Sequence, residues 1–176
     1  MPFSATPIPD LLIFEPRVFG DERGYFFESF NAKVFREAGV TVDFVQDNQA
    51  ASNRGVLRGM HFQHGAAAQA KLVRVVVGEV YDVTVDLRPD SPTYRQWYGC
   101  YLNDANHRQL YIPRGFAHGY VVTSEVSVFQ YKCDNFYAPE AEGGLRFDDP
   151  AIGITWPTIE GGYTVADRDR NWPLLT

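Results

Sequence analysis

Two histidines stand in segments that could bring a proton-transferring side chain to a pocket. His61 lies within the run 55–63, GVLRGMHFQ, which reads as a strand and has glycines at 55 and 59 that leave room beside the backbone. His118 closes the segment PRGFAH. Imidazole is the side chain whose ordinary pKa lies closest to neutral pH, so either residue could act as an acid or a base. A single histidine on a strand is more often structural, so neither position assigns a function by itself.

Lys71 and Tyr131 are polar residues on apolar faces of predicted strands. Lys71 alternates with valines over 71–77, and Tyr131 shares its face with Phe129 and Cys133. Burying an ammonium group without a partner is costly, so Lys71 either has a chemical role or extends to water. In the same way, Tyr131 either has a chemical role inside a barrel or is a core tyrosine whose hydroxyl reaches the barrel mouth.

The two-residue period of a strand also assigns faces within 55–63. His61 is expected on the face of Leu57 and Gly59, and Arg58 is expected on the opposite face. These two polar side chains would then point to opposite sides of one sheet.

Charge is concentrated near the C-terminal end, where the run 167–170 reads DRDR. Two carboxylates and two guanidinium groups in four residues usually form a solvated loop. Composition alone therefore assigns no role to Arg168 or Asp169.

One pattern bears on metal binding. The segment 113–118 has the P-x-G-x-x-H spacing of the second motif of metal-binding cupins. The partner motif needs a second histidine two residues beyond His61 and a glutamate soon after, but Gln63 stands there and the next glutamate is Glu79. First-row metals need three or four convergent ligands, so no metal site is expected.

Composition limits the class of protein. The 176 residues include 16 Lys and Arg and 22 Asp and Glu, a formal net charge of −6, and 45% are hydrophobic. A chain of this size and apolar content can bury a core, which excludes disorder. The acidic balance argues against a nucleic-acid partner. No uncharged apolar run approaches the roughly 18 residues of a spanning helix, so no membrane partner is expected.

Two features predict the compartment. Cys100 and Cys133 make neither a disulfide framework nor a CxxC zinc motif, so both are expected to be free thiols in a reducing compartment. The segment 1–12 lacks a basic stretch followed by an apolar one, so no signal peptide is recognised. We therefore expect a cytoplasmic protein.

Strand patterns dominate the chain. The run 71–87 alternates on both sides of Gly78, and a helix is predicted at 31–39 with Asn31 as N-cap and Gly39 after its end. Further strands are predicted at 97–102, 109–112, 119–122 and 126–134. Short strands broken by Gly and Pro turns indicate an all-β sandwich or barrel. We expect one domain over 1–176, with the stretch after about Ala138 wrapped around it.

Taken together, these segments resemble the dTDP-4-dehydrorhamnose 3,5-epimerase family, a branch of the cupin fold that works without a metal. Matching segments follow one another in family order along nearly the whole chain. They are 23–28, 46–48, 57–61, 69–74, 78–82, 85–88, 113–118, 131–133 and 168–171. One such motif would carry little weight, whereas all of them in order are specific. The resemblance implies an antiparallel jelly-roll barrel of the cupin type, all-β with a few short peripheral helices, assembled as a homodimer.

The resemblance implies a dTDP-linked 4-keto-6-deoxyhexose as substrate and no cofactor. Carbons 3 and 5 of that sugar flank the ketone, so their protons can be removed once the enolate oxygen is stabilised. His61 matches the family's base, and Asp169 matches the carboxylate that orients it. Lys71 matches the cation that faces the enolate, and Tyr131 matches the acid that returns the proton from the opposite face.

Binding roles carry over in the same way. Arg23 and Arg58 match residues that contact the diphosphate, whose oxygens suit a bidentate guanidinium group. Tyr137 matches the aromatic residue that stacks on thymine. The other matched positions are Glu28, Gln46, Asn48 and the backbone of Asp47 for the nucleotide, with His118 and Glu142 for the sugar. Arg168 matches a further substrate-binding position. Arg168 stands where lysine is commoner in the family, and Ala166 stands where serine is common.

Three other functions stay open. An epimerase that inverts carbon 3 alone, as in antibiotic-sugar routes, would carry the same residues. A metal-dependent cupin oxygenase would need a metal ligand where Gln63 stands. A non-catalytic nucleotide-sugar-binding jelly roll would keep the binding residues but would need neither His61 with Asp169 nor Lys71.

Overall fold

The computed structural model describes residues 2–175 and consists mainly of strands, which confirms the predicted all-β class. The strands are β1 (Phe3–Ala5), β2 (Leu12–Phe14), β3 (Phe19–Asp21), β4 (Gly24–Phe26), β5 (Gln46–Asn53), β6 (Val56–Gln63), β7 (Lys71–Val77), β8 (Glu79–Asp86), β9 (Trp97–Asn103), β10 (Gln109–Ile112), β11 (Phe116–Val122), β12 (Val126–Cys133), β13 (Glu142–Gly144) and β14 (Thr164–Val165). The helices are short: α1 (Ala32–Glu37), α2 (Asp167–Arg170) and two 3-10 turns, Gly65–Ala67 and Pro139–Ala141.

Two sheets pack face to face around the main core. The first sheet has the order β1-β2-β10-β7-β12-β5, and the second has the order β13-β6-β11-β8-β9, with β14 added parallel to β6. Val73 and Phe129 of the first sheet and Val80 and Val122 of the second are buried in one cluster. β3 and β4 form a separate hairpin outside both sheets.

The alternation at 71–87 produces β7 and β8 as predicted, but β8 is buried on both faces. Val80 points into the main core, whereas Val83 and Val85 pack on the other side of the sheet against Leu145 and Ile152. The C-terminal stretch therefore covers the outside of the second sheet, as expected from its turn-rich sequence.

The predicted helix is confirmed as α1. The Asn31 side chain accepts a hydrogen bond from the Lys33 N–H at 3.0 Å, which satisfies one free donor of the first turn. Phe35 is the buried residue of α1 and packs with Phe14 and Leu72 on the outer face of the first sheet.

The predicted faces within β6 are wrong, because Arg58 and His61 line the same cavity. The pairing of β6 with β11 shifts register between His118 and Tyr120, and Gly59 has a φ of +130°. This bulge changes the alternation between Arg58 and His61, so side chains three residues apart share a face.

Gly59 is a position where the backbone of the neighbouring strand leaves no room for a side chain. A Cβ there would lie 2.5 Å from Gly119 Cα, whereas a Cβ at Gly39 (φ +91°) would meet nothing within 4 Å. We expect Gly59→Ala to lower the free energy of unfolding in urea by clearly more than Gly39→Ala, whose cost is the positive φ alone, about 1–2 kcal/mol. Equal losses would show that β6 and β11 can separate without cost.

Candidate active site

A cavity of about 400 Å³ opens between the two sheets. Most of the polar residues singled out in the sequence line it. They are Gln46, Asn48, Arg58, His61, Lys71, His118, Tyr131, Tyr137, Glu142 and Arg168. Gln69 and Tyr120, to which the sequence pattern assigned no role, also line the cavity. Gln69 begins a matched segment and Tyr120 lies in a predicted strand, but nothing in their residue types marked them.

His61 and Asp169 form a hydrogen-bonded pair at the cavity wall. His61 Nε2 lies 2.7 Å from Asp169 Oδ1, and the Gly59 N–H donates to Asp169 Oδ2 at 3.1 Å. Since Asp169 engages Nε2, Nδ1 is the ring nitrogen left for exchange with a substrate. Asp169 is only 3% exposed, so the interpretation of the charged run as a solvated loop is wrong at this residue.

The charge state of Asp169 follows from two opposing effects. Burial by itself would raise the pKa of this carboxyl, but the hydrogen bond and charge of His61, with the Gly59 N–H, outweigh burial and lower it. Asp169 is therefore a carboxylate at neutral pH. An ionised carboxylate fixes the orientation of the imidazole and stabilises its protonated form.

Lys71 and Tyr131 face the cavity from neighbouring strands β7 and β12. Lys71 Nζ lies 6.0 Å from the centre of the Tyr131 ring, and within 2–175 no carboxylate forms an ion pair with it. Burial lowers the pKa of Lys71, and the nearby Cys133, Asp82 and Glu142 act in the opposite direction. Burial raises the pKa of Tyr131 to about 12, so its hydroxyl keeps its proton at neutral pH.

His118 forms a second histidine–carboxylate pair, with Asp82, and only the histidine was expected from the sequence. His118 Nε2 lies 2.9 Å from Asp82 Oδ2, and both side chains are buried. Burial raises the pKa of Asp82, although His118 and Lys71 pull it down. The sequence offered one sign that Asp82 has a special role, which is that this acidic residue stands within the valine-rich run of β8.

A chain of polar contacts connects the cavity mouth to the His61–Asp169 pair. Glu142 Oε2 accepts hydrogen bonds from Arg168 Nη1 at 2.9 Å and from the Tyr137 hydroxyl at 3.3 Å. Arg168 Nη2 lies 3.4 Å from His61 Nε2. The Arg168 guanidinium group thus links the carboxylate that holds Tyr137 to the imidazole.

Three predicted binding residues do not reach this cavity within one copy of the chain. Arg23 is on the turn between β3 and β4, where its exposed side chain pairs with Asp21. The Glu28 carboxylate accepts hydrogen bonds from Asn31, and Asp47 pairs with Lys132 at 3.0 Å. Asp47 was predicted to bind through its backbone, so its side-chain position does not bear on that role.

Residues 2–175 contain neither a cluster of metal-ligating side chains nor a membrane-spanning helix. No group of three or more His, Cys, Asp and Glu side chains is placed to hold a metal ion. None of the helices there is long and apolar enough to cross a membrane.

Known proteins similar to this chain match it over nearly its full length. The sequence profile of the dTDP-4-dehydrorhamnose 3,5-epimerase family matches residues 5–176. A dTDP-4-dehydrorhamnose 3,5-epimerase of Salmonella typhimurium is 58% identical over 171 residues, which are 97% of this chain and 93% of that protein.

Two solved structures are similar in shape. A dTDP-6-deoxy-D-glucose-3,5-epimerase from Legionella pneumophila, in complex with dTDP-4-keto-L-rhamnose, has a TM-score of 0.94 and 46% identity, covering 98% of this chain and 91% of its own. A 3'-monoepimerase from Streptomyces bikiniensis, in complex with dTDP-quinovose, has a TM-score of 0.89 and 33% identity, covering 96% and 85%. The two packed sheets are thus a cupin-type jelly roll, and the chain belongs to the dTDP-4-dehydrorhamnose 3,5-epimerase family of carbohydrate isomerases.

Proposed function

We propose that this chain epimerises a dTDP-linked 4-keto-6-deoxyhexose at carbons 3 and 5. The observation that carries the proposal is the buried His61–Asp169 pair in the wall of a cavity that also presents Lys71 and Tyr131. This set contains a base, a cation and an acid, which are the groups that proton removal beside a ketone and return to the other face require.

Epimerisation of each carbon transfers one proton from that carbon to the protein and one proton from the protein back to it. His61 takes the proton from the carbon beside the ketone, and the electron pair of the C–H bond moves onto the ketone oxygen to form an enolate. The Lys71 ammonium stabilises that oxygen, and the Asp169 carboxylate stabilises the imidazolium. Tyr131 then donates its hydroxyl proton to the opposite face of the same carbon, which inverts it.

The environment of Tyr131 suits the role of acid. Its pKa of about 12 keeps the proton on the hydroxyl until an enolate is present to accept it. The Lys71 ammonium, 6.0 Å from the ring centre, would stabilise the phenolate left behind. Afterwards Tyr131 regains a proton and His61 releases one to solvent.

We assign the ends of the cavity to the two ends of a nucleotide sugar. Arg58 would hold the diphosphate, and its guanidinium is oriented by a hydrogen bond from Nε to Ser52 Oγ at 3.1 Å. The nucleotide end comprises Tyr137, Gln46 and Asn48, and the backbone of Asp47, between the last two on β5, would add a contact to the nucleotide. The sugar end comprises His118, Glu142 and Arg168.

Inversion of carbon 3 alone is the second candidate. The similarity to the Streptomyces bikiniensis 3'-monoepimerase supports it, but that identity is 33%, against 58% for the Salmonella typhimurium 3,5-epimerase. The metal-dependent oxygenase is not proposed, because the Gln63 carboxamide, which stands at a metal-ligand position, bonds to backbone groups instead.

We further propose that the chain is a homodimer in which Arg23 and Glu28 reach the cavity of the second copy. The β3–β4 hairpin that carries Arg23 exposes Phe19, Tyr25 and Phe26, the last at 70%. A two-stranded hairpin is marginally stable by itself, and a cluster of exposed aromatic side chains is typical of an interaction surface. The cytoplasm stays the proposed compartment, since Cys100 and Cys133 are free thiols.

The proton-transfer roles predict distinct isotope patterns in D₂O. With dTDP-4-keto-6-deoxyglucose, the unmodified enzyme is expected to place deuterium at carbons 3 and 5, as followed by proton NMR. His61→Ala is expected to abolish incorporation while dTDP still binds, because only the base is lost. Tyr131→Phe is expected to keep exchange and lose inversion. Exchange by His61→Ala would contradict the role of the base, and deuterium at carbon 3 alone would indicate a 3-epimerase.

Asp169→Asn removes the charge that supports the imidazolium. We expect kcat to fall by roughly 10²–10⁴-fold, the usual contribution of general acid–base catalysis. The matched control is Asp148→Asn, which removes a partly exposed carboxylate paired with Arg146 and should leave kcat unchanged. Equal kcat values for the two variants would contradict the proposed pair.

The same variant predicts how stability depends on pH. The pKa of Asp169 is lower in the folded protein than its ordinary value of 3.8, so its stabilising contribution is complete above about pH 4. That contribution is lost as the pH falls through the folded pKa. Urea unfolding at pH 7 and pH 3 should therefore show a smaller acid-dependent loss of stability for Asp169→Asn than for the unmodified protein.

The dimer is tested by light scattering. The unmodified chain should have about twice its mass of 19.9 kDa, and Phe26→Asp should shift it toward the monomer and raise KM, because Arg23 and Glu28 are withdrawn. Tyr94→Asp, which alters an exposed aromatic residue away from the hairpin, should change neither quantity. A monomeric unmodified enzyme with full activity would refute this assembly.

A further inference from the structure

We propose that Gln63 is a positioning residue for nucleotide recognition, because its buried carboxamide holds the Tyr137 loop, residues 134–138, in place. The inference rests on the proposed nucleotide-sugar substrate and on Tyr137 as the residue that stacks on the nucleobase. Gln63 lines the cavity together with His61 but has no part in the proposed proton transfers.

The Gln63 carboxamide uses both of its polar atoms on backbone groups. Nε2 donates to the Phe136 carbonyl at 3.2 Å and to the Ala67 carbonyl at 2.7 Å, and Oε1 accepts from the Ala138 N–H at 2.8 Å. Gln63 is only 7% exposed. Loss of these bonds would leave two carbonyls and one N–H of the backbone without their side-chain partner, and each such bond makes a modest net contribution to stability.

Two of these bonds, those to Phe136 and Ala138, fall on either side of Tyr137. Phe136 precedes it and Ala138 follows it, so one carboxamide fixes the backbone at each flank. The Tyr137 N–H itself donates to Gln46 Oε1 at 3.0 Å. Gln69 Nε2 adds a fourth attachment, to the Asn135 carbonyl at 2.8 Å.

The ring of Tyr137 is nevertheless accessible. The residue is 53% exposed, and its hydroxyl contacts Glu142 at 3.3 Å. An exposed aromatic ring on an already ordered backbone can stack on a nucleobase without a large loss of conformational entropy on binding. Gln63 supplies that order from beneath the loop.

The chemistry of the three bonds explains why an amide stands two residues beyond His61. A neutral imidazole has one donor and one acceptor, and a carboxylate has no donor, so neither could satisfy two carbonyls and one N–H. A metal-binding cupin would use this position as a ligand. In this chain the position supports recognition of the nucleotide instead.

The test compares Gln63→Met, which keeps the length of the side chain and removes its hydrogen bonds, with Gln49→Met. Gln49 is exposed, and its hydrogen bond goes to Gln130, away from the Tyr137 loop. Three kinds of measurement are made on each variant: amide hydrogen exchange over 134–138, binding of dTDP (Kd), and turnover of the keto sugar (kcat and KM).

For Gln63→Met we expect faster exchange at the Ala138 N–H. Both Kd and KM should rise roughly tenfold, because ordering the loop on binding would then cost about as much free energy as one net hydrogen bond contributes. Saturated kcat should stay within about twofold, because the transition-state contacts are unchanged. Gln49→Met should leave all three at unmodified values. Unchanged Kd and KM, with or without faster exchange, would overturn the proposal, as would a loss confined to kcat.

Gln63→Glu keeps the proposal testable if the methionine variant does not fold. It retains an acceptor for the Ala138 N–H and loses both donors, so Ala138 should stay protected while Kd still rises. If the unmodified enzyme neither binds dTDP nor turns over the sugar, the proposed function fails. In that case hydrogen exchange still reports whether Gln63 holds the loop.

Discussion

The hydrogen bond between His61 and Asp169 is the interaction on which the rest of the site depends. It joins the middle of β6 to the short helix α2, two segments far apart in sequence. The carboxylate is held from its other oxygen by the Gly59 N–H, on the same strand as the histidine. Strand, bulge and C-terminal helix thus define one geometry for the imidazole, and the remaining catalytic groups are arranged around it.

The interior of a jelly roll rarely holds ionisable side chains, and in this structure those inside the barrel lie close to one another. Asp82 contacts His118, and Lys71 lies near Tyr131 without an ion pair among the described residues. Burial lowers the pKa of Lys71 and raises that of Tyr131, so their protonation states are set by the barrel itself. Because Lys71 has no carboxylate partner among the described residues, its ammonium group is available to a negatively charged substrate oxygen.

The proposed proton-transferring groups stand on strands, whereas some of the proposed recognition residues stand on less regular parts of the fold. His61, Lys71 and Tyr131 stand on strands, where neighbouring hydrogen bonds hold the backbone. Tyr137 stands on a connecting segment and Arg168 on the short helix α2, and side-chain bonds to Gln63 and Glu142 order those segments. Loops whose order depends on a few bonds can change with the ligand while the strands preserve the reaction geometry.

Local pattern was sufficient for the main strands and the helix, whereas most of the candidate site residues were named through the family resemblance. The alternation of Lys71 with valines and the cap at Asn31 involve only residues close in sequence. The observed strand β7 and helix α1 agree with the predictions made from them. What only the tertiary structure decided involves partners distant in sequence. The faces of Arg58 and His61 depend on a bulge against β11, and the contact of Asp82 with His118 depends on the pairing of two strands. Asp169 is buried, although its own segment looks solvated, because the C-terminal segment folds back onto β6. Periodicity cannot reveal such contacts, since they arise from packing between segments and not from the order of residues within one.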